Sequence, residues 1–61
     1  MTFVPGHVYT SASYVVIVLW LQGLRAFCLC LSDSSMVRPN WTGRVVPIDL
    51  GRLDHFEQVW P

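Results

Sequence analysis

Residues 14–31 read YVVIVLWLQGLRAFCLCL, with only Gln22, Gly23 and Arg25 outside the apolar set. As an α-helix this run would be roughly 27 Å long, close to the hydrocarbon thickness of a bilayer. Outward from it the chain changes character. Residues 1–13 contain no Arg, Asp or Glu, and beyond Ser32 the sequence is more polar and is broken by Pro39, Gly43 and Pro47. The pattern predicts a mainly α fold: a short N-terminal flank (1–13), a single transmembrane helix over about 14–31, and an extended extramembrane Pro/Gly-containing loop (32–48). A short C-terminal amphipathic helix (49–61) completes it.

Composition narrows the class further. The chain has 61 residues, enough for one structural unit. Apolar residues make up 52% and charged residues 13%, about half the usual charged share. Four Arg offset Asp33, Asp49, Asp54 and Glu57, so the formal charge is zero. That excludes a basic nucleic-acid tail and an acidic disordered one. There is no Lys.

Two other readings of 14–31 compete with the span. A signal-peptide core carries Lys or Arg before it, and none precedes this run. A soluble mini-domain would need an amphipathic helix, yet as a helix the run is apolar nearly all round. Insertion of the span is favourable by a small margin. Leu, Ile, Val and Phe together contribute about −3 to −6 kcal/mol, and Arg25 opposes them with about +2.5 to +3.5. A marginal span is best accommodated beside a protein partner.

On a helix Gln22 and Arg25, three apart, share a face, with Trp20, Leu24, Phe27 and Leu31 opposite. This points to Gln22 and Arg25 as a docking face; snorkelling of Arg25 toward the headgroups is the competing explanation. Arg38 and Arg44 follow the run, which predicts the N-terminus outside and the C-terminus on the cytoplasmic, matrix or stromal side. Asn40-Trp41-Thr42 matches a glycosylation sequon by chance in that orientation.

Cys28 and Cys30 would project to different helix faces, which excludes an unstrained bridge between them. Their juxtamembrane position makes them possible acylation sites, against the simpler role of small apolar filler. A lone C-x-C with distant His7 and His55 does not make a zinc site. His55 lies between Asp54 and Phe56, with Glu57 near, but no nucleophile or phosphate loop accompanies it. No enzyme activity, metal or cofactor is expected.

In the tail, Asp49 is a plausible N-cap, and Leu53, Phe56 and Trp60 recur at helical spacing as a second docking stripe. The resulting expectation is a small structural, accessory subunit of a larger membrane complex, of respiratory or photosynthetic type on base rates. Its partners would be larger membrane subunits and the lipid bilayer, with no nucleic acid and no small-molecule substrate. The alternatives are a self-associating membrane micropeptide, acting as regulator or pore former, and a soluble mini-domain without selected function.

Overall fold

The computed structural model describes residues 3–36 and 39–60, without the side chains of Leu53 and Trp60. The decisive run is a β-hairpin. Tyr14–Gln22 forms β2 and Arg25–Asp33 forms β3, nine residues each, paired antiparallel from Tyr14↔Asp33 to Gln22↔Arg25. The polar interruption of the run is the turn. Gly23 and Leu24 make a two-residue loop in which Gly23 takes φ 60° and Leu24 does not go positive, the pattern of a type II′ turn. Val15, Val16, Ile17 and Val18 are β-branched, which lowers helix propensity and suits the pleated surface.

Three further strands complete an antiparallel sheet of order β4-β3-β2-β1-β5: β1 is Val8–Thr10, β4 Val45–Asp49 and β5 Glu57–Trp60. A 3₁₀ turn, Leu50–His55, carries the chain from β4 at one edge to β5 at the other. The Cα positions span 28 × 21 × 19 Å, and a flat single sheet has no 19 Å thickness; the sheet is curled on itself. Irregular register at Val15/Val16 and Val18/Trp20 of β2, and at Val8/Tyr9 of β1, supplies bends of the kind that bulges introduce.

Curling creates the core. Tyr9, Val16, Val18, Ala26, Cys28, Cys30, Val46 and Ile48 line the inner face, joined by Phe3 and Phe56. Small side chains alternate along β3, so Ala26, Cys28 and Cys30 leave room on the concave side for the rings. Phe3 reaches the core through a turn at Val4–His7. There His7 N–H donates to the Val4 carbonyl at 3.1 Å, and Gly6 has φ 86°, as the position after Pro5 in a type II turn requires. Its ring meets Tyr9 edge-on at 4.8 Å and Phe56 at 5.4 Å. The Tyr9 hydroxyl accepts from Val4 N–H at 2.9 Å.

The connection between β3 and β4 is organised by buried Asp33. Its carboxylate accepts from Ser35 N–H at 2.8 Å and Trp41 N–H at 3.1 Å, and its carbonyl accepts from the Asn40 side chain at 3.2 Å. A buried charge is tolerated here because backbone donors surround it.

The mainly α expectation is therefore corrected throughout. Residues 14–31 are two strands and not one transmembrane helix, and among the described residues no helix is long and apolar enough to cross a membrane. The loop assigned to 32–48 includes the end of β3 and part of β4, and in place of the helix assigned to 49–61 the described residues give the last residue of β4, the 3₁₀ turn and β5. The single-pass accessory-subunit reading and its N-outside orientation lose the helix they rested on. Arg38, used for that orientation, lies outside the described residues. The physical reason is that length and hydropathy do not distinguish one long buried helix from two apolar strands folded back on each other. The mini-domain alternative agrees best with this sheet: it needs no polar wrap, because the sheet covers its own inner face.

Candidate functional site

The inner face is filled by its own side chains, so the outer face of β2, β3 and β4 is where a surface role can reside. Strand register places its residues in rows. Val8, Ile17, Leu29 and Val45 are successive neighbours across four strands, and Trp20, Phe27 and Pro47 form the next row. Trp20 and Phe27 stack face to face, 4.9 Å between centroids and 6° between planes. The indole N–H of Trp20 donates to Gln22 Oε1 at 3.3 Å. Trp20, Leu31 and Val45 are exposed, and Leu24 at the turn is 82% exposed. Large apolar side chains gathered on one side of so small a molecule make this face the candidate interaction surface.

The same end of the hairpin carries a charge pair. Arg25 Nε lies 3.3 Å from Asp49 Oδ1, with the two side chains 61% and 67% exposed. At such exposure an ion pair adds little to folding stability, so its interest is as a charged feature beside the apolar rows. Leu50 N–H donates to the Leu24 carbonyl at 2.9 Å, fastening the 3₁₀ turn to the hairpin tip. Gln22, Leu24, Arg25, Asp49, Leu50 and Gly51 border an open hollow of about 600 Å³.

Gln22 and Arg25 are together in the structure, as cross-strand neighbours flanking the turn and not as neighbours on a helix. Phe56 is separate from them: its ring is buried in the core, 5.6 Å from Tyr14 and 5.4 Å from Phe3. Leu53 sits in the 3₁₀ turn and Trp60 ends β5 opposite Val8, and both side chains lie outside the described set. The expected Leu53/Phe56/Trp60 stripe has no helix to carry it. Trp20 and Phe27, expected on the helix face opposite the docking residues, and Asp49, expected as an N-cap, belong with Gln22 and Arg25 on this surface. Their signal was the Gln-Gly-Leu-Arg interruption, which as a turn makes Trp20 and Phe27 cross-strand neighbours.

Cys28 and Cys30 point to the same inner face, two residues apart on β3, and both are buried. Burial pushes the Cys28 thiol from 9.0 up to about 11. A protonated, enclosed thiol is a poor acceptor for an acyl group. His55 is exposed, and among the described residues no hydrogen bond joins it to a hydroxyl or carboxylate. No group of three or more His, Cys, Asp or Glu able to hold a metal ion occurs among the described residues. Set against family models, curated proteins and solved structures, the chain matches none.

Proposed function

We propose that this chain is a non-catalytic interaction domain whose contact surface is the outer face of β2, β3 and β4, and that a second copy of the chain occupies it. The observation that carries this reading is the stack of exposed Trp20 on half-buried Phe27 within two apolar rows, bordered by Arg25 and Asp49. A twofold interface needs a self-complementary patch. One cation and one anion beside a common apolar surface satisfy that, since Arg25 of each copy can meet Asp49 of the other. The formal charge of zero removes repulsion between copies. A standard interface covers about 800 Å² per partner, near one fifth of this chain's 4033 Å² surface.

Sedimentation equilibrium of the full chain tests it. The expected mass is twice 7.0 kDa, and Trp20→Ser should weaken association by about tenfold or more, as loss of a central aromatic anchor does. Circular dichroism checks that this outward-facing substitution leaves the sheet intact. A wild-type chain that remains monomeric up to ~100 µM, a concentration that tolerates only weak affinity, overturns the reading. A dimer indifferent to Trp20→Ser would place the contact on another face.

A further inference from the structure

A second feature lies apart from the outer face and shares no residue with it. The turn between β1 and β2, Ser11-Ala12-Ser13, stands beside the end of the 3₁₀ turn, and the two border an open hollow of about 310 Å³. Its lining includes Ser11, Ser13, Tyr14, Arg52, His55 and Phe56. Arg52 and His55 are three apart, and a 3₁₀ turn has three residues per turn, so both side chains lie on one side of it. The walls are fixed in place. Ser11 N–H donates to the Tyr14 carbonyl at 2.9 Å, Ser34 N–H holds the Ser13 carbonyl at 2.7 Å, and the Tyr14 and Phe56 rings meet at 5.6 Å.

The chemistry of the lining has one sign. It offers a guanidinium, an imidazole and two hydroxyls, with aromatic carbon beside them and no carboxylate. Among the described residues the Arg52 guanidinium has neither an ion pair nor a hydrogen bond. The acidic residues Asp54 and Glu57, with Thr10, border an adjoining hollow that shares Ser11, Ala12, His55 and Phe56 with this one. We propose that the Arg52 hollow is a binding site for a small carboxylate ligand. The charge of the ligand would sit on the Arg52 fork and the serine hydroxyls, with its body against Tyr14 and Phe56. Planar donors suit a carboxylate. The two acids nearby disfavour a second negative charge, so a monoanion is preferred to a phosphate dianion.

The test is a ¹H–¹⁵N NMR titration of the full chain with benzoate, with benzyl alcohol as the neutral analogue and with inorganic phosphate. Benzoate should give saturable shifts confined to residues 11–14 and 52–56, and phosphate should bind more weakly. Arg52→Gln, a change at an exposed position, should weaken benzoate binding about tenfold, the effect of losing a charge-assisted contact. Shifts that never saturate, or that persist unchanged in Arg52→Gln, would show a general salt effect and overturn the site. Equal binding of benzyl alcohol would reduce the hollow to an apolar cleft and overturn anion recognition. Tighter binding of phosphate would overturn the choice of carboxylate.

Discussion

At Gly23 the fold depends on a single backbone angle. Its φ of 60° is hostile to L-residues, while nothing lies within 4 Å of where a Cβ would stand, so conformation alone sets the cost of substitution. Gly23→Ala should destabilise by about 1–2 kcal/mol. D-alanine at the same place, accessible by chemical synthesis, should stabilise by about 0.4–1 kcal/mol, because it suits the angle and restricts the unfolded chain. Urea titration of both variants gives the two signs, and equal destabilisation by both would refute the turn. Asp33 concentrates its effect differently. Asp33→Ala leaves the Ser35 and Trp41 N–H groups without their acceptor and should cost about 2–3 kcal/mol, a large share of the about 3–9 kcal/mol available to a domain of this size. Cys28 adds a dependence on pH. Its folded pKa of about 11 exceeds the ordinary 9.0, so above pH 9 the unfolded chain loses the proton first. Stability therefore falls as pH rises from 9 to 11, by about 2–3 kcal/mol in all. Urea midpoints at pH 8 and pH 11 should show that loss in the wild type and a smaller one in Cys28→Ala.

Among the elements, the β2–β3 hairpin shows what the sequence made legible and what it hid. The apolar run was plain, as was its interruption at Gln22-Gly23-Leu24-Arg25. Read as a helix, the interruption is a costly polar face within a span; read as a hairpin, it is the solvent-exposed turn, and the cost disappears. Four consecutive β-branched residues and the alternation of Ala26, Cys28 and Cys30 with Phe27, Leu29 and Leu31 also carry the strand period. Hydropathy summed over the run conceals both signals. The Gln22/Arg25 pairing survives the change of element because positions i and i+3 adjoin in a helix and also flank a two-residue turn. Pairing of Arg25 with Asp49 was beyond reach, since it depends on β4 joining β3 in the register Arg25↔Asp49. That register supports a test of the twofold contact. Arg25→Asp alone should weaken dimerisation by several-fold through like charges, and Arg25→Asp with Asp49→Arg should restore it, because the exchanged pair is again self-complementary. Sedimentation of the three proteins side by side measures the coupling, and failure of the double variant to recover would remove these residues from the interface.

For the molecule as a whole, the governing fact is that one sheet has two faces and only one is covered by its own curvature. A radius of gyration of 10.5 Å matches the about 10.5 Å expected for a compact chain of 61 residues. With so little volume, the rings of Phe3, Tyr9 and Phe56 are enough to fill the concave side. The remaining large apolar residues, Trp20 and Phe27 foremost, are left on the convex side, where folding of one copy covers them only in part. Association then becomes part of stability. If the folded chain dimerises through this face, the equilibrium runs from a folded dimer to two unfolded chains, and mass action makes the melting temperature depend on concentration. A tenfold rise in concentration adds about 0.7 kcal/mol per chain once the dimer dominates, half of the usual 1.4 kcal/mol per decade. For a domain of this length that corresponds to a rise of about 3–5 °C in melting temperature. Thermal melts by circular dichroism at 10 µM and 100 µM should show that rise for the wild type and little or none for Trp20→Ser. A melting temperature independent of concentration in both proteins, with a monomer mass, would mean that the convex face stays uncovered by this chain.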